Sequence, residues 1–252
     1  MRLLSVARDL RRRKAREREA LFVVEGIRTV EELLASPVEV VGVLVAPHLA
    51  ESPRGAALLE TARRQGRTIT EVSEKEFRSA AETESPQGVL AVARVPERSL
   101  EMLSGVTPLR MLVLDAVQDP GNVGTILRTA AALGVQATVA LPGTVDVWNA
   151  KVVRSAMGAH LRHPALRTTW DDLRAFLFRE NVPLWGAAAG AQPPPREGLP
   201  PRLALAVGNE GAGLTPAVRE ATERLVGIPL APGAESLNVA VATGILLFQL
   251  RP

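Results

Sequence analysis

The 252-residue chain contains no cysteine and only three histidines. Without cysteine it can form no disulfide framework, no thiolate metal site and no covalent cysteine intermediate. The histidines, His48, His160 and His163, are too few and too scattered to predict a zinc site. We expect His160 and His163 to be surface or capping residues. The composition therefore predicts a protein that holds no metal.

Long apolar runs are also missing, because arginine, glutamate or proline interrupts each one before it reaches transmembrane length. The N-terminus carries basic residues, but no apolar block follows them as it would in a secretory signal. Hydrophobic residues make up 46% of the chain and charged residues 23%, which is the balance of a soluble globular protein. We expect a cytoplasmic protein without a membrane partner.

The net charge is only +3, but the cations are concentrated at the N-terminus. Residues 1–29 carry nine basic side chains against four acidic ones. The basic residues are Arg2, Arg8, Arg11, Arg12, Arg13, Lys14, Arg16, Arg18 and Arg28. A basic segment of this kind is suited to contact the phosphates of a nucleic acid. A solvated helix with intrahelical ion pairs explains the same pattern nearly as well.

Short apolar runs alternate with helical patterns in residues 1–96, which predicts a small layered α/β/α domain. Strands are expected at 21–25, 38–45, 68–72 and 88–95. Helices are expected at 27–34, 55–65 and 73–81, where Ser73 and Glu76 stand in capping-box positions. Residues 97–109, with their prolines, charges and a glycine, are predicted to be a linker.

Residues 110–252 repeat the alternation and predict a second α/β domain, with a parallel sheet. Strands are expected at 111–114, 137–141, 182–187, 203–207 and 225–228. Helices are expected over the stretch that holds Arg128, around 149–158, at 171–179 and 215–223, and from about 237 to 250. The proline-rich stretch 192–202 should be an exposed loop.

The stretch 119–130 follows a predicted strand and opens a helix, which is where α/β sheets bind their ligands. Pro120 suits the first helical turn and Gly121 allows a sharp bend. One apolar stripe should face the sheet, and it comprises Val123, Ile126, Leu127, Ala130 and Leu133. Arg128 then lies on the opposite face among small residues that let a ligand come close. A solvated helix arginine is the plainer interpretation.

A glycine-containing loop at 208–214 follows another predicted buried strand. Its G-x-x-G-x-G spacing is only a weak indication of a phosphate loop. No lysine follows it, and Glu210 lies inside it, so hydroxyl or amino groups suit this loop better than phosphate.

The final helix is apolar on every side, and we expect it to be buried. Ser236 would supply the capping oxygen at its entrance. Asn238 would be a costly polar group in the first turn unless it is hydrogen-bonded.

Together these segments resemble the SpoU-type RNA ribose 2′-O-methyltransferases of the SPOUT superfamily. The resemblance runs from about residue 110 to the C-terminus and lies in three ordered motifs, at 122–130, 208–214 and 228–239. The stretch 151–159 looks like the family's segment between the first two motifs. Phe22-Val23-Val24-Glu25-Gly26, with the basic segment before it, looks like the family's N-terminal RNA-binding domain, which is similar to a ribosomal-protein fold. Ala240 departs from the serine that many members carry.

The resemblance implies an α/β domain with a deep trefoil knot, a homodimer, and S-adenosylmethionine as the methyl donor. The implied cofactor-binding residues are Gly208, Asn209, Ile228, Leu230 and Leu237. The implied polar catalytic set is Asn122, Arg128, Glu210, Ser236 and Asn238.

Two roles fit Arg128. It is the usual candidate for proton acceptor in this family, although a guanidinium with a pKa above about 12 is a poor base. It can equally hold the neighbouring phosphate and stabilise the developing oxyanion. Glu210, the only carboxylate of the set, is assigned to fixing Arg128 or Asn122.

Ribosomal RNA is the favoured substrate, because a compact RNA-binding domain precedes the catalytic one. Transfer RNA is the alternative substrate, although transfer-RNA members more often rely on helical extensions. Base N-methylation is disfavoured by the ordered motifs. A non-catalytic RNA-binding or ribosome-assembly protein that keeps the fold is disfavoured by the complete polar set.

Overall fold

The computed structural model describes residues 3–251; Arg2, counted above among the basic residues, lies outside them. Its first half contains helix α1 (Leu3–Asp9), helix α2 (Arg13–Glu19), strand β1 (Leu21–Glu25), helix α3 (Ile27–Leu34), strand β2 (Val40–Val45), helix α4 (Pro53–Arg64), strand β3 (Ile69–Glu71), helix α5 (Glu74–Ala80) and strand β4 (Val89–Arg94). Its second half contains strand β5 (Leu109–Asp115), helix α6 (Pro120–Ala132), strand β6 (Ala137–Ala140), helix α7 (Ala150–Ser155), strand β7 (Ala165–Arg167), helix α8 (Trp170–Arg179), strand β8 (Leu184–Ala187), strand β9 (Arg202–Gly208), helix α9 (Pro216–Glu220), strand β10 (Arg224–Val226) and helix α10 (Val239–Gln249). Short 3-10 turns lie at Pro47–Glu51, Leu100–Leu103 and Ala159–Leu161.

Contacts divide the chain into two compact units. The first holds the described residues up to Glu97 together with Trp148–Arg162, and the second holds Arg98–Val147 and the described residues from His163 onward. The segment Trp148–Arg162 therefore packs with the first unit, although the sequence assigned it to the second domain. Aromatic packing holds it there, since the Trp148 ring lies 4.5 Å from that of Phe22 and 5.1 Å from that of His160.

The first unit is built on a mixed sheet with the order β1-β4-β2-β3. β4 runs antiparallel to β1 and β2, and β2 runs parallel to β3. The predicted strands and helices of this part all occur, and β1 and α3 have the predicted bounds. Ser73 and Glu76 form the predicted capping box of α5.

The basic N-terminal segment forms two short helices, and several of its arginines form ion pairs or hydrogen bonds within the segment. Arg16 is buried and donates from Nη1 to the carbonyl oxygens of Leu10 at 2.7 Å and Arg11 at 2.9 Å. Ion pairs join Arg12 to Asp9, Arg13 to Glu17 and Arg18 to Glu19. Intrahelical pairing therefore accounts for part of the pattern that the sequence left open between two interpretations.

The second unit is built on a parallel sheet with the order β10-β8-β9-β5-β6-β7. Every residue of β5 is buried, as is usual where helices cover both faces of a parallel sheet. The predicted parallel α/β architecture is confirmed. β7 was not predicted, because it has only three residues and lies at the sheet edge.

Two polar segments of this half differ from their expected surroundings, and for the histidines the prediction of surface positions is wrong. The expected linker 97–109 packs on the second unit, with Leu103 buried and Arg98 donating to the carbonyl oxygen of His163 at 2.9 Å. The expected surface histidines are buried, His160 against Trp148 and His163 with Nε2 lying 2.8 Å from the Thr138 hydroxyl. His163 is buried because the Thr138 hydroxyl, distant in sequence, pairs with its Nε2, and His160 is buried by ring contact with Trp148.

Glu180, at the C-terminal end of α8, forms hydrogen bonds with residues of the 97–109 segment. Its carboxylate accepts hydrogen bonds from the Ser104 hydroxyl at 2.7 Å, the Gly105 amide at 3.1 Å and Arg202 at 3.1 Å. These donors, led by Ser104, lower the pKa of Glu180 from 4.5 to about 2. Because the folded-state pKa is depressed, the stabilisation is present above about pH 4.5 and is lost as the pH falls toward 2.

We therefore expect Glu180→Gln to lower the melting temperature at pH 7, and the difference from wild type to shrink as the pH falls from 4.5 toward 2. Thermal unfolding followed by circular dichroism across this pH range measures it. Glu101→Gln is the matched control, since the ion pair of Glu101 with Arg179 is exposed and should contribute little. A Glu180→Gln deficit that stays constant with pH would contradict the assignment.

Candidate active site

The site forms where two neighbouring parallel strands end. Asp115, the last residue of β5, is paired in register with Gly208, the last residue of β9. Loops that follow adjacent parallel strands emerge at the same edge of the sheet, which is where α/β proteins bind ligands. The buried Asp115 carboxylate accepts the Thr215 amide at 2.6 Å and so anchors the far end of the glycine loop.

The glycine loop after β9 is held by Asn209. Its Nδ2 donates to the carbonyl oxygen of Ala116 at 3.1 Å, and its Oδ1 accepts the amides of Gly211 and Ala212, both at 3.0 Å. A Cβ on Gly208 would lie 2.2 Å from the carbonyl carbon of Gly213, so only glycine fits there. The loop is therefore a tight turn closed by hydrogen bonds of the Asn209 side chain.

A chain of hydrogen bonds joins the three predicted motifs. Asn238 caps α10, where its Oδ1 accepts the amides of Ala240 at 2.9 Å and Val241 at 3.3 Å. Its Nδ2 donates to Asn122 Oδ1 at 3.0 Å, and Asn122 Nδ2 donates to Glu210 Oε1 at 2.9 Å. Because backbone amides can only donate, they fix the orientation of Asn238 and, through it, that of Asn122.

Asn122 is also fixed from its own helix. The Asp119 side chain caps α6 by accepting a hydrogen bond from the backbone N–H of Asn122 at 2.7 Å. The apolar stripe predicted for α6 is buried at Val123, Ile126, Leu127 and Ala130, while the cap residue Leu133 is only partly buried. Arg128 is exposed on this helix, as predicted.

A cavity of about 520 Å³ lies beside the glycine loop. This volume falls within the range of roughly 300–1,000 Å³ that is usual for small-molecule sites. All five residues predicted to bind a cofactor line it: Gly208, Asn209, Ile228, Leu230 and Leu237. Glu210 and Ser236 also line it, whereas Asn122, Arg128 and Asn238 are not among its lining residues.

Two details at the entrance of α10 differ from the sequence-based expectation. Asn238, not Ser236, supplies the capping oxygen, and Asn238 is exposed rather than buried in an apolar turn. Asparagine is as good a cap as serine, so the local pattern alone could not choose between them.

One wall of the cavity had no signal in the sequence. It consists of the backbone of Ala187, Ala188 and Ala189 with Gly227, residues without functional side chains. A Cβ on Gly227 would lie 2.7 Å from the carbonyl oxygen of Ala188 and 2.6 Å from that of Ala191, so the two segments are in close backbone contact. Thr243, which is fully buried, also lines the cavity and was not predicted.

The final helix is not buried on every side as its composition predicted. Ala240, Thr243, Leu246 and Leu247 are buried, but Val241 is 51% exposed and Phe248 57% exposed. A large apolar helix face open to solvent is unusual in a folded chain and is typical of an interaction surface.

Within residues 3–251, no group of acidic, histidine or cysteine side chains is arranged to hold a metal ion. Over the same residues, none of the helices is both long and apolar enough to span a membrane.

Residues 110–248 match the model of the SpoU rRNA Methylase family, and residues 6–91 match that of the MRM3-like substrate binding domain. The chain is 40% identical to the 23S rRNA (guanosine(2553)-2'-O)-methyltransferase RlmP of Bacillus subtilis, over 97% of this chain and 94% of that protein. It is 30% identical to the mitochondrial rRNA methyltransferase 3A of Danio rerio, over 99% of this chain and 68% of that protein.

Solved structures show the same likeness over the whole chain. The SpoU methyltransferase AviRb of Streptomyces viridochromogenes, in complex with AdoMet, superposes with a TM-score of 0.89 at 25% identity, covering 99% of this chain and 97% of that one. An AdoMet-bound rRNA methyltransferase of Sinorhizobium meliloti gives a TM-score of 0.85 at 26% identity, with coverage of 99% and 94%.

The capping role of Asn238 can be tested by its effect on stability. Asn238→Ala removes the acceptor for two backbone amides and should cost about 1 kcal/mol in the free energy of unfolding. Asn238→Asp keeps the capping acceptor but loses the N–H that donates to Asn122, so its stability should lie between those of Asn238→Ala and wild type. Urea unfolding at pH 7 measures both, with Ser236→Ala as the control that should be nearly neutral. A larger loss for Ser236→Ala than for Asn238→Ala would contradict the assignment.

Proposed function

Since this chain belongs to the SpoU rRNA methylase family, we propose that it transfers a methyl group from S-adenosylmethionine to a ribose 2′-hydroxyl of ribosomal RNA. The observation that carries the proposal is the hydrogen-bonded set Glu210–Asn122–Asn238 beside an apolar, glycine-lined cavity. The Bacillus subtilis relative is named as a 23S rRNA guanosine methyltransferase, which makes a guanosine of that RNA the first substrate to test.

The cavity beside the glycine loop has the chemistry that S-adenosylmethionine requires. Ile228, Leu230 and Leu237 offer apolar contact, and the tight glycine loop offers backbone groups at close range. Two carboxylates, Glu210 and Glu235, line the cavity with one cation, Arg219, so the lining keeps an excess of negative charge that suits a cationic ligand. When bound, the cofactor supplies a methyl group that its sulfonium charge makes electrophilic. We assign Gly208 and Asn209 to building the loop that holds it.

The protein's own groups position the RNA and stabilise charge. Asn122, whose orientation is fixed at both ends, is assigned to hold the ribose hydroxyls. We assign Arg128 to the phosphate beside the target ribose and to the oxyanion that develops as the 2′-oxygen loses its proton. A guanidinium is better suited to this than to proton abstraction, because it stays charged at every accessible pH. Glu210 then keeps Asn122 in place, and Ser236 lies at the cavity wall.

A second copy of the chain is proposed to cover the exposed apolar face of α10. Val241 and Phe248 form this face. α10 packs closely on α6, since a Cβ on Gly244 would lie 3.3 Å from the Thr129 methyl group. The exposed Arg128 is on α6, so the site would lie beside the interface of a homodimer.

Two further features are proposed for this chain. The segment after β10 is proposed to thread a deep trefoil knot, which is supported by the contact of Gly227 with the 188–191 backbone. The first unit is proposed to bind the RNA substrate with a fold like that of a ribosomal protein, which is supported by its match to a substrate binding domain.

Replacing Arg128 tests the methyl-transfer proposal. Arg128→Ala should leave S-adenosylmethionine binding unchanged by calorimetry, and it should slow methyl transfer to 23S rRNA by about 100-fold or more. Arg128→Lys should recover part of the rate because it keeps the charge. Arg174→Ala, an exposed arginine of α8, is the control. Normal turnover by Arg128→Ala would refute the assigned role.

The oligomeric state tests the α10 interface. Phe248→Glu should convert a particle of twice the chain mass to a single chain in light scattering, because it buries a charge in an apolar interface. Phe178→Glu is the matched control, since Phe178 is 88% exposed on α8 and lies outside the proposed interface. A dimer that survives Phe248→Glu, or a wild-type chain that is monomeric, would overturn this assignment.

A further inference from the structure

A second cavity, of about 370 Å³, lies within the first unit and shares no lining residue with the proposed methyl-transfer site. Its walls come from the turn between β1 and α3, the loop 83–87 and the segment that contains α7. The lining side chains that can contact a ligand are Arg28, Glu32, Ser85, Gln87, Arg154 and Met157. This volume is large enough for a planar heterocycle.

The walls of this cavity are held by hydrogen bonds between distant segments. The buried Glu25 carboxylate accepts the Glu82 amide at 2.9 Å and the Thr83 hydroxyl. Gln87 Oε1 accepts the Ile27 amide at 2.9 Å, which directs its Nε2 as a donor elsewhere. The cavity is therefore preformed, and Glu25 is used in building it.

Two charged residues that line this cavity differ in hydrogen bonding: Arg154 can only donate, and the Glu32 carboxylate can only accept. Arg154 lines the cavity with a guanidinium, which can only donate, and its Nη1 is buried without a hydrogen-bond partner among the described residues. Glu32 forms an exposed ion pair with Arg162 at 3.4 Å, which leaves its carboxylate oxygens able to accept further hydrogen bonds.

The balance of charges favours a nucleobase over a phosphate. The lining carries two cations, Arg28 and Arg154, and two carboxylates, Glu25 and Glu32, so a phosphate in the cavity would meet carboxylates to which it cannot bond. Guanine presents two adjacent donors, N1–H and the N2 amino group, which suit one carboxylate. It also presents two adjacent acceptors, O6 and N7, which suit a guanidinium. Adenine and uracil lack the paired donors.

On this ground we propose that the cavity of the first unit binds an unpaired guanine of the RNA substrate. Glu32 accepts from N1–H and the N2 amino group, and Arg154, with Arg28 at the mouth, donates to O6 and N7. Met157, which is 45% exposed, covers the ring face. Unstacked bases in loops and bulges are the usual targets of sequence-specific RNA recognition. The inference rests on the proposed RNA substrate, but no residue assigned to methyl transfer takes part.

The test measures binding of single-stranded RNA to the full chain by fluorescence anisotropy at fixed salt. The probes are oligouridylates of about nine nucleotides that carry one central guanine, adenine, cytosine or uracil. The guanine probe should bind about tenfold more tightly than the others. Glu32→Gln should abolish that preference and leave the affinity for the all-uridine probe unchanged.

Glu31→Gln is the matched control, because Glu31 precedes Glu32 on α3 but bonds to Arg54 and does not line the cavity. It should keep the guanine preference. Equal binding of all four probes, or a preference that survives Glu32→Gln, would overturn the proposal. Wild-type methyl transfer to 23S rRNA is assayed in parallel, so that loss of guanine preference with intact methylation refutes only this site. Absence of methylation with intact preference refutes only the proposed reaction.

Discussion

The site depends on the direction of one hydrogen-bond chain. The amides at the start of α10 can only donate, and the carboxylate of Glu210 can only accept. Between them Asn238 and Asn122 must each accept on one side and donate on the other, as observed at 3.0 Å and 2.9 Å. Replacing either amide by a carboxylate or an apolar group would break the direction of the whole chain. Asn122 is thereby held in a fixed position relative to Asn238, which lies 116 positions away in the sequence, and to Glu210, which lies 88 positions away.

This chain in turn requires the parallel sheet. Asp115 and Gly208 end paired strands, and Asn209 donates across to the backbone after β5. The loop that carries Glu210 is therefore fixed relative to the helix that carries Asn122. A Cβ on Gly208 would lie 2.2 Å from the Gly213 backbone, so the close return of this loop requires glycine at the end of β9.

The sequence pattern predicted the strands, helices and caps that are determined by residues close together in the sequence. The alternation of apolar runs predicted the parallel sheet, and the positions of Ser73 and Glu76 predicted the cap of α5. Features with non-local causes were missed: His163 is buried because Thr138 satisfies it, and the 148–162 segment packs with the first unit through the Phe22 ring. For the site, the sequence indicated the residues around the cavity beside the glycine loop. It could not indicate the wall made of alanine and glycine backbone, because that wall acts without side chains.

The composition of α10 misled for an informative reason. Apolarity on every side predicts burial on every side, and within one chain only the face with Thr243, Leu246 and Leu247 is buried. The same helix begins with Asn238, which orients the polar set. A partner that covered Val241 would therefore stabilise the turn on which Asn238 depends. In the proposed dimer, association and the order of the catalytic amides would be thermodynamically linked, so dilution would weaken the site before it unfolded the chain.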